Sequence, residues 1–259
     1  RWKVLLGGRG TSMEYFWAQS IGSLLTNVFP LRAGEAGRVV IVSRQVGIPL
    51  VQVGASLVLE RAVDLAVILT LMTVLLLVMD VPWQVTATGL ALGAAMAVAW
   101  IGVVVLLIFG NRLTGLVESV VTRLPARFRQ LALDSWNHLL VALDPLRDLR
   151  VVAQIVLWSV LVWGMGVAGF WAAIEAVVPG AGLIEPAFAL VAVALGVALP
   201  SSPGFIGVFH LIGQQALAAP FPDRYNATQA FAIALLNHAA YYVTSTVLGV
   251  IGLARLGVS

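Results

Sequence analysis

The chain has 259 residues, 60% of them hydrophobic and 10% charged, with a mean hydropathy of +0.99. A soluble domain carries about 25% charged residues, so water is not the main solvent of this one. The formal net charge is only +3, and cysteine is absent, which removes disulfide frameworks and thiolate metal sites.

The sequence opens at Arg1 with neither an initiator methionine nor a leader-like apolar run, and it reads as a fragment with an upstream segment not included. Apolar helical runs at 14–29 and 33–46 meet at Pro30-Leu-Arg-Ala-Gly34-Glu-Ala-Gly37. Each is too short to cross a hydrocarbon core of ~30 Å, which needs about 20 helical residues. Runs at 49–78 and 85–109 are long enough. Residues 110–150 mix apolar residues at helical spacing with six Arg and four acids, and read as a helical connector on the cytoplasmic surface. There Arg123, Arg127 and Arg129 either meet anionic headgroups or only face water. Two further spans, 151–177 and 226–255, flank a second short pair at 186–199 and 204–219 that meets at Pro200-Ser-Ser-Pro-Gly204-Phe-Ile-Gly207.

The two Pro-x-x-x-Gly-x-x-Gly stretches lie 170 residues apart, so the chain contains a duplicated broken helix. Paired interruptions in the halves of a membrane protein point to a substrate site, because they leave helix ends and free backbone groups at membrane depth. The expected fold is an all-α polytopic membrane protein of four spans, with inverted-topology repeats and two re-entrant helical hairpins. One kinked span per pair is the alternative. Residues 1–259 read as a single membrane domain, with repeat one at about 13–109, the surface connector at about 110–150 and repeat two at about 151–259.

Basic residues test this tracing, since they concentrate on the cytoplasmic side. Hairpins that return to their own side place eleven of the fifteen Lys and Arg residues on one face: Arg1, Lys3, Arg9, Arg44, Arg255 and the six between 112 and 150. Arg224 falls opposite with Asp80, Glu185 and Asp223, while Arg32, Arg38 and Arg61 fall within the membrane. The first hairpin then enters from the cytoplasm and the second from outside, an arrangement suited to alternating access.

Intramembrane charge is the costliest feature of the chain. Glu60 and Asp64 share a helical face near the middle of 49–78, and Arg61 reaches Asp64 at i,i+3. One such residue at a span centre costs about 2.5–3.5 kcal/mol on insertion scales, so three mark either a transport pathway or a structural ion network. Asn237 and His238 fall at the equivalent depth of the second half, and Arg32, Glu35 and Arg38 add charge at the first hairpin tip. The helices beginning after Gly34 and after Gly204, the latter beside Ser201 and Ser202, are expected to direct positive dipole ends and free N–H groups into the membrane. With Arg32, Arg38 and Arg61 they form an anion site suited to a phosphate. Glu35, Glu60 and Asp64 hold an amine or a proton, or neutralise the arginines.

At these residues the chain resembles a known family, the transmembrane region of the lysylphosphatidylglycerol synthases (the membrane domain of the multiple peptide resistance factor) and its stand-alone flippase-like relatives. The resemblance rests on Arg1-Trp-Lys-Val-Leu-Leu, Asn27-Val-Phe-Pro-Leu-Arg-Ala-Gly-Glu-Ala-Gly-Arg38, Leu59-Glu-Arg-Ala-Val-Asp64 and Leu199-Pro-Ser-Ser-Pro-Gly-Phe-Ile-Gly-Val-Phe209, and it covers nearly the whole chain. It implies a multi-pass domain of the bacterial or archaeal cytoplasmic (inner) membrane that moves a lipid headgroup between leaflets, preceded by further spans. Two departures stand out. His238 replaces an Arg expected in the last long helix, exchanging a permanent charge for a titratable one. These residues also include no soluble acyltransferase domain, so the lipid is an aminoacylated phospholipid or another lipid such as a glycolipid or polyprenyl-phosphate-linked sugar.

Enzyme signals are weak. Gly164-Met-Gly-Val-Ala-Gly169 matches a dinucleotide-binding pattern inside an apolar span without strand–turn–helix context, and close helix packing explains it, and Gly89-x-x-x-Gly93, better. His138, His210 and His238 lack metal-ligand spacing, and Ser201 and Ser202 lack a nucleophile elbow and a nearby base. No catalytic residue, metal or cofactor is expected, and basic residues without interleaved aromatics argue against nucleic acid. The expected function is translocation of a phosphate-containing lipid, with Arg32, Gly34, Glu35, Arg38, Glu60, Arg61, Asp64, Ser201, Ser202, Gly204, Asn237 and His238 as substrate-binding residues. Expected partners are membrane lipids, with an anionic phospholipid or glycolipid as substrate, and a fused or associated synthase or glycosyltransferase. A scaffold that presents lipid to such an enzyme and moves nothing is one alternative. Proton-coupled uptake of a soluble solute, dependent on Glu60, Asp64 or His238, is another.

Overall fold

A computed structural model of the chain describes all residues except 31, 80–82, 123–124, 199–201 and 258–259. Every regular element among the described residues is helical. A one-turn helix α1, Trp2–Leu5, precedes α2, Ser12–Val28. α2 starts in a capping box, in which the Glu14 N–H donates to Thr11 Oγ1 at 3.4 Å and the Thr11 N–H donates to the Glu14 carboxylate at 2.6 Å. It stops before Pro30, which disfavours helical backbone at Phe29. α3, Ala33–Val46, closes on Gly47 at φ +70°, and α4, Leu50–Val78, starts behind Pro49.

α5, Trp83–Val121, covers the expected span 85–109 and runs past it. The first part of the expected connector, 110–121, is thus continuous with this helix. No proline interrupts the chain between Pro82 and Pro125, so Arg112 and Glu118 continue the same helix. α6, Ala126–Leu143, leads through a 3₁₀ turn at Asp144–Arg147 into α7, Leu149–Val177, where the Asp148 carboxylate accepts from the Arg150 N–H at 2.8 Å. α8, Ile184–Gly196, is followed by a 3₁₀ turn at Pro203–Phe205, then α9, Val208–Ala218, and α10, Ala227–Leu256. A second capping box, Asn226 with Gln229, starts α10, and Gly257 at φ +60° ends it.

α3 covers the expected run 33–46, whereas α9 begins at Val208 rather than just after Gly204. The cause of that shift is local: Gly204, Phe205 and Gly207 have φ of +57°, +58° and +89°, which a right-handed helix cannot include.

α2 and α3 pack as an antiparallel hairpin, and α8 with α9 as another, so each expected short pair is a helix–turn–helix unit. A Cβ on Gly34 would collide with the Gly22 carbonyl oxygen, so only glycine permits the approach of α2 and α3. In the second hairpin Gly196 meets Ile212, and Phe188 meets Phe221 edge-on at 6.3 Å. α10 joins the two: its Gly249 lies on Ser20 and Leu24 and its Gly252 on Ile21 and Trp17 of α2, while Ala230 and Ile233 share a core with α7, α8 and α9. Ile68 and Leu75 of α4 close the assembly against Val191 of α8. α4, α7 and α10 are each long and apolar enough to cross a membrane, at the places expected for three of the spans. The glycines of 164–169 divide: Gly166 packs on Leu190 as expected, whereas Gly164 and Gly169 have no neighbour within 4 Å of the point a Cβ would occupy and open onto apolar crevices.

Gly34→Ala is expected to lower stability by about 2–3 kcal/mol or to block folding, because backbone must move to admit the methyl group. Gly54→Ala, in open space within α4, is expected to be neutral or to stabilise by about 0.5–1 kcal/mol. Thermal unfolding of both variants in one detergent checks the contrast.

Candidate functional site

The two hairpin turns meet. Arg32, with φ +56°, and Phe205 are the non-glycine residues with left-handed backbone among the described residues, one in each turn. Such backbone costs on the order of 1–2 kcal/mol per residue and persists only where surroundings enforce it. The Arg32 guanidinium lies 5.8 Å from the Phe205 ring centre and donates to the Val197 carbonyl at the C-terminal end of α8. That carbonyl end carries partial negative charge, so a cation suits it. Beside it, Asn27 Nδ2 donates to the hydroxyls of Ser245 and Thr246, each at 3.0 Å, and Gly204 packs against Tyr242 and the Asn27 carbonyl.

A charged cluster lies against the first turn. Glu60 is 3.1 Å from Arg1, 3.0 Å from Arg38 and 3.8 Å from Arg61. Asp64 is 2.7 Å from Arg1 and 3.1 Å from Arg61, and Glu35 is 3.2 Å from Arg32 and 3.8 Å from Arg61. Four guanidinium groups thus face three carboxylates. Arg38 also donates to Gln19 and lies 4.8 Å from the Trp2 ring centre. The Arg38 and Glu60 side chains are only 3% and 9% exposed, so their pairing is made in a low dielectric, whereas Arg61 is 41% exposed. The Nε–H groups of Arg1, Arg32, Arg38 and Arg61 are buried without a hydrogen-bond partner among the described residues.

Arg1 corrects the expected topology, which placed it with the solvated cytoplasmic charges. Its side chain is 7% exposed within the cluster. Trp2, Leu5 and Leu6 are buried, and the Trp2 indole donates to Ser56 at 2.9 Å, so α1 is held against α4 and brings Arg1 with it.

The cluster borders a polar cavity of about 200 Å³, lined by Gln19, Ser23 and Thr26 of α2, Arg32, Gly34, Glu35 and Arg38 of the first turn and α3, and Arg61 of α4. Val197, Phe205 and Tyr241 complete its wall, and the same three residues line an apolar crevice of about 690 Å³ among α7, α8, α9 and α10. The second hairpin therefore presents a helix C-terminus and an aromatic ring to the cavity, not the second helix N-terminus that the sequence led us to expect. In α3, too, the Glu35 N–H is engaged by the Arg32 carbonyl at 2.9 Å. The guanidinium groups, rather than helix starts, dominate the site.

Of the expected binding residues, Arg32, Gly34, Glu35, Arg38 and Arg61 line the cavity. Glu60 and Asp64 stand behind it as counter-charges, and Asn237 and His238 line the crevice. Gly204 is packed inside the second turn, and the exposed Ser202 hydroxyl donates to the Ile206 carbonyl at 2.5 Å. Ser201 lies outside the described residues, as do Asp80 and Arg123. Sequence reasoning missed Gln19, Ser23 and Thr26, although polar residues at i, i+4 and i+7 in an apolar run are a readable stripe. It also missed the pairing of His210 with His238, for which residue spacing gives no signal.

Removing the Glu60 carboxylate is expected to be costly, because it leaves Arg38 and Arg1 buried with uncompensated charge. Glu60→Ala should lower stability by about 3–5 kcal/mol. Arg61→Ala should lower it by about 1 kcal/mol or less, since its ion pairs are half in water. Chemical denaturation in mixed micelles measures both.

No significant match emerges among curated proteins or among solved structures. The family model described as the lysylphosphatidylglycerol synthase TM region matches residues 1–249, nearly the whole chain and all of the site. With α4, α7 and α10 long enough to span a bilayer, the chain belongs to this membrane family, the lysylphosphatidylglycerol synthase transmembrane region.

Proposed function

We propose that the protein translocates a phosphate-containing lipid, an aminoacylated phospholipid or a glycolipid, between the leaflets of a bacterial or archaeal cytoplasmic membrane. The observation that supports this most is the junction at Val197, Phe205 and Tyr241, residues that line both the polar cavity, with its Arg32, Arg38 and Arg61 guanidinium groups, and the apolar crevice. One amphiphile suits both chambers. Arg32, Arg38 and Arg61 receive the phosphate through charge-assisted hydrogen bonds, while Glu35, Glu60 and Asp64 balance the arginines when no headgroup is bound. Moving an acyl chain from bilayer to crevice exchanges one apolar surrounding for another, so it contributes little free energy. Affinity and selectivity therefore arise at the headgroup.

In this proposal α4, α5, α7 and α10 span the membrane, and the α2–α3 and α8–α9 hairpins are re-entrant. The order hairpin then long helix occurs in α2–α3–α4 and again in α8–α9–α10, which supports an inverted repeat. Rocking of one repeat against the other, about the two touching turns, exposes the site to each leaflet in turn.

Leaflet exchange of headgroup-labelled anionic, aminoacylated and glycosylated lipids in proteoliposomes tests the proposal. One class is expected to exchange faster than in empty vesicles. Arg61→Ala, which removes a cavity cation, and Gly169→Leu, which fills the crevice at a position with open space, should each slow it about tenfold, equivalent to ~1.4 kcal/mol. Exchange no faster than in empty vesicles by folded protein would contradict translocation, and retained headgroup binding in that case would favour a lipid-presenting scaffold.

A further inference from the structure

The second hairpin is tied to α10 by two histidines. His238 Nδ1 and His210 Nε2 are 2.8 Å apart, and His238 Nε2 is 2.9 Å from the Gly204 carbonyl oxygen. Phe209 stacks on the His238 ring at 4.5 Å, and Tyr242 meets it edge-on at 5.9 Å. His238 is buried on the crevice wall, whereas His210 is half-buried.

Hydrogen-bond chemistry constrains the protons. A carbonyl oxygen only accepts, so His238 Nε2 keeps its hydrogen in every state of this geometry. In the neutral pair His238 Nδ1 is bare and accepts from the His210 Nε2–H. An added proton binds His210 Nδ1 and leaves both hydrogen bonds intact. The Nε2 hydrogen of His210 can then transfer within the 2.8 Å N···N hydrogen bond to His238 Nδ1. One N–H bond breaks and one forms, the positive charge moves to the crevice wall, and His210 is left neutral with its hydrogen on Nδ1 and its Nε2 accepting. A second proton would set two N–H groups against each other across the same gap, so the pair holds one.

The facing groups are few. α9 contributes His210 itself, α10 contributes the phenols Tyr241 and Tyr242, and the first hairpin turn contributes Arg32 beyond the Phe205 ring. No carboxylate joins the two histidines in a cluster among the described residues.

We propose that His210 and His238 form a one-proton binding site that relays a proton from a half-buried position to the crevice wall and couples proton movement to that of the crevice's occupant. The coupling, though not the site, rests on the lipid-transfer reading above. The charge it places on the crevice wall strengthens the positive field that holds an anionic headgroup in the adjoining cavity, and its loss weakens that hold.

Proton uptake by the full chain in nanodiscs, titrated between about pH 8 and pH 5, tests the site, with each variant compared against the unaltered chain and His138 kept in all of them. The pair is expected to bind one proton, so His210→Gln and His238→Gln should each leave uptake unchanged, and only the double variant should lose one proton. Loss of one proton in each single variant and two in the double variant would overturn the one-proton site. Imidazole ¹⁵N spectra of the unaltered chain provide a second readout that no folding defect can confuse: His238 should be protonated at Nε2 at neutral pH, and a bare Nε2 would overturn the assignment. An imposed pH gradient should accelerate lipid exchange in proteoliposomes, and His210→Gln should abolish that acceleration. Exchange indifferent to the gradient would overturn the coupling, while absence of any exchange would count against lipid transfer and leave the titration to decide the site.

Discussion

The carboxylate of Glu60 is the point on which the first half of the structure is organised. It is buried, and it is approached by guanidinium groups from α1 and α3 as well as by Arg61 of its own helix. Charges removed from water are tolerated only when paired at short range and hydrogen-bonded, so the positions of Arg1 and Arg38 are closely limited once Glu60 is buried. Arg38 in turn sets α3 against Gln19 of α2, and Gly22 and Gly34 remove the side chains that would hold the two helices apart. The result is a polar pocket wall inside an otherwise apolar bundle.

The junction of the two turns sets that wall beside an apolar chamber. Arg32 belongs to the polar cavity and Phe205 to both chambers, and the contact between them joins a polar compartment to an apolar one. Both residues hold left-handed backbone, a local cost that the tertiary contact offsets. Arg1 also reaches the Ser159 hydroxyl at 3.4 Å, on the wall of a second apolar crevice of about 620 Å³ between α4 and α7. Polar and apolar compartments thus alternate across the molecule.

Much of this was legible in the residues. Length and apolar content identified α4, α7 and α10, and Pro and Gly located both turns, because those residues act through local backbone geometry. Charges too costly to bury without partners marked Arg38, Glu60 and Asp64. What was not legible depends on contacts between distant segments. Arg1 looked like an exposed terminal charge because its burial is imposed by Trp2 against Ser56. The start of α9 was misplaced because consecutive left-handed residues in a Gly-rich turn are not specified by the Pro-Gly pattern alone. His210 and His238 sit on different helices, and only the packing of α9 on α10 joins them.

The central claim is that one amphiphile occupies cavity and crevice together through the Val197, Phe205 and Tyr241 junction. Photoreactive lipids test it most directly when the same lipid carries the reactive group either on its headgroup or within an acyl chain, and the labelled residues are mapped by mass spectrometry. The account predicts headgroup labelling at Ser23, Thr26 or Tyr241 and chain labelling at Ala173, Leu190 or Phe209, with unlabelled lipid suppressing both in parallel. Labelling confined to outward-facing residues such as Val162 and Val250, or suppression of one set without the other, would contradict it.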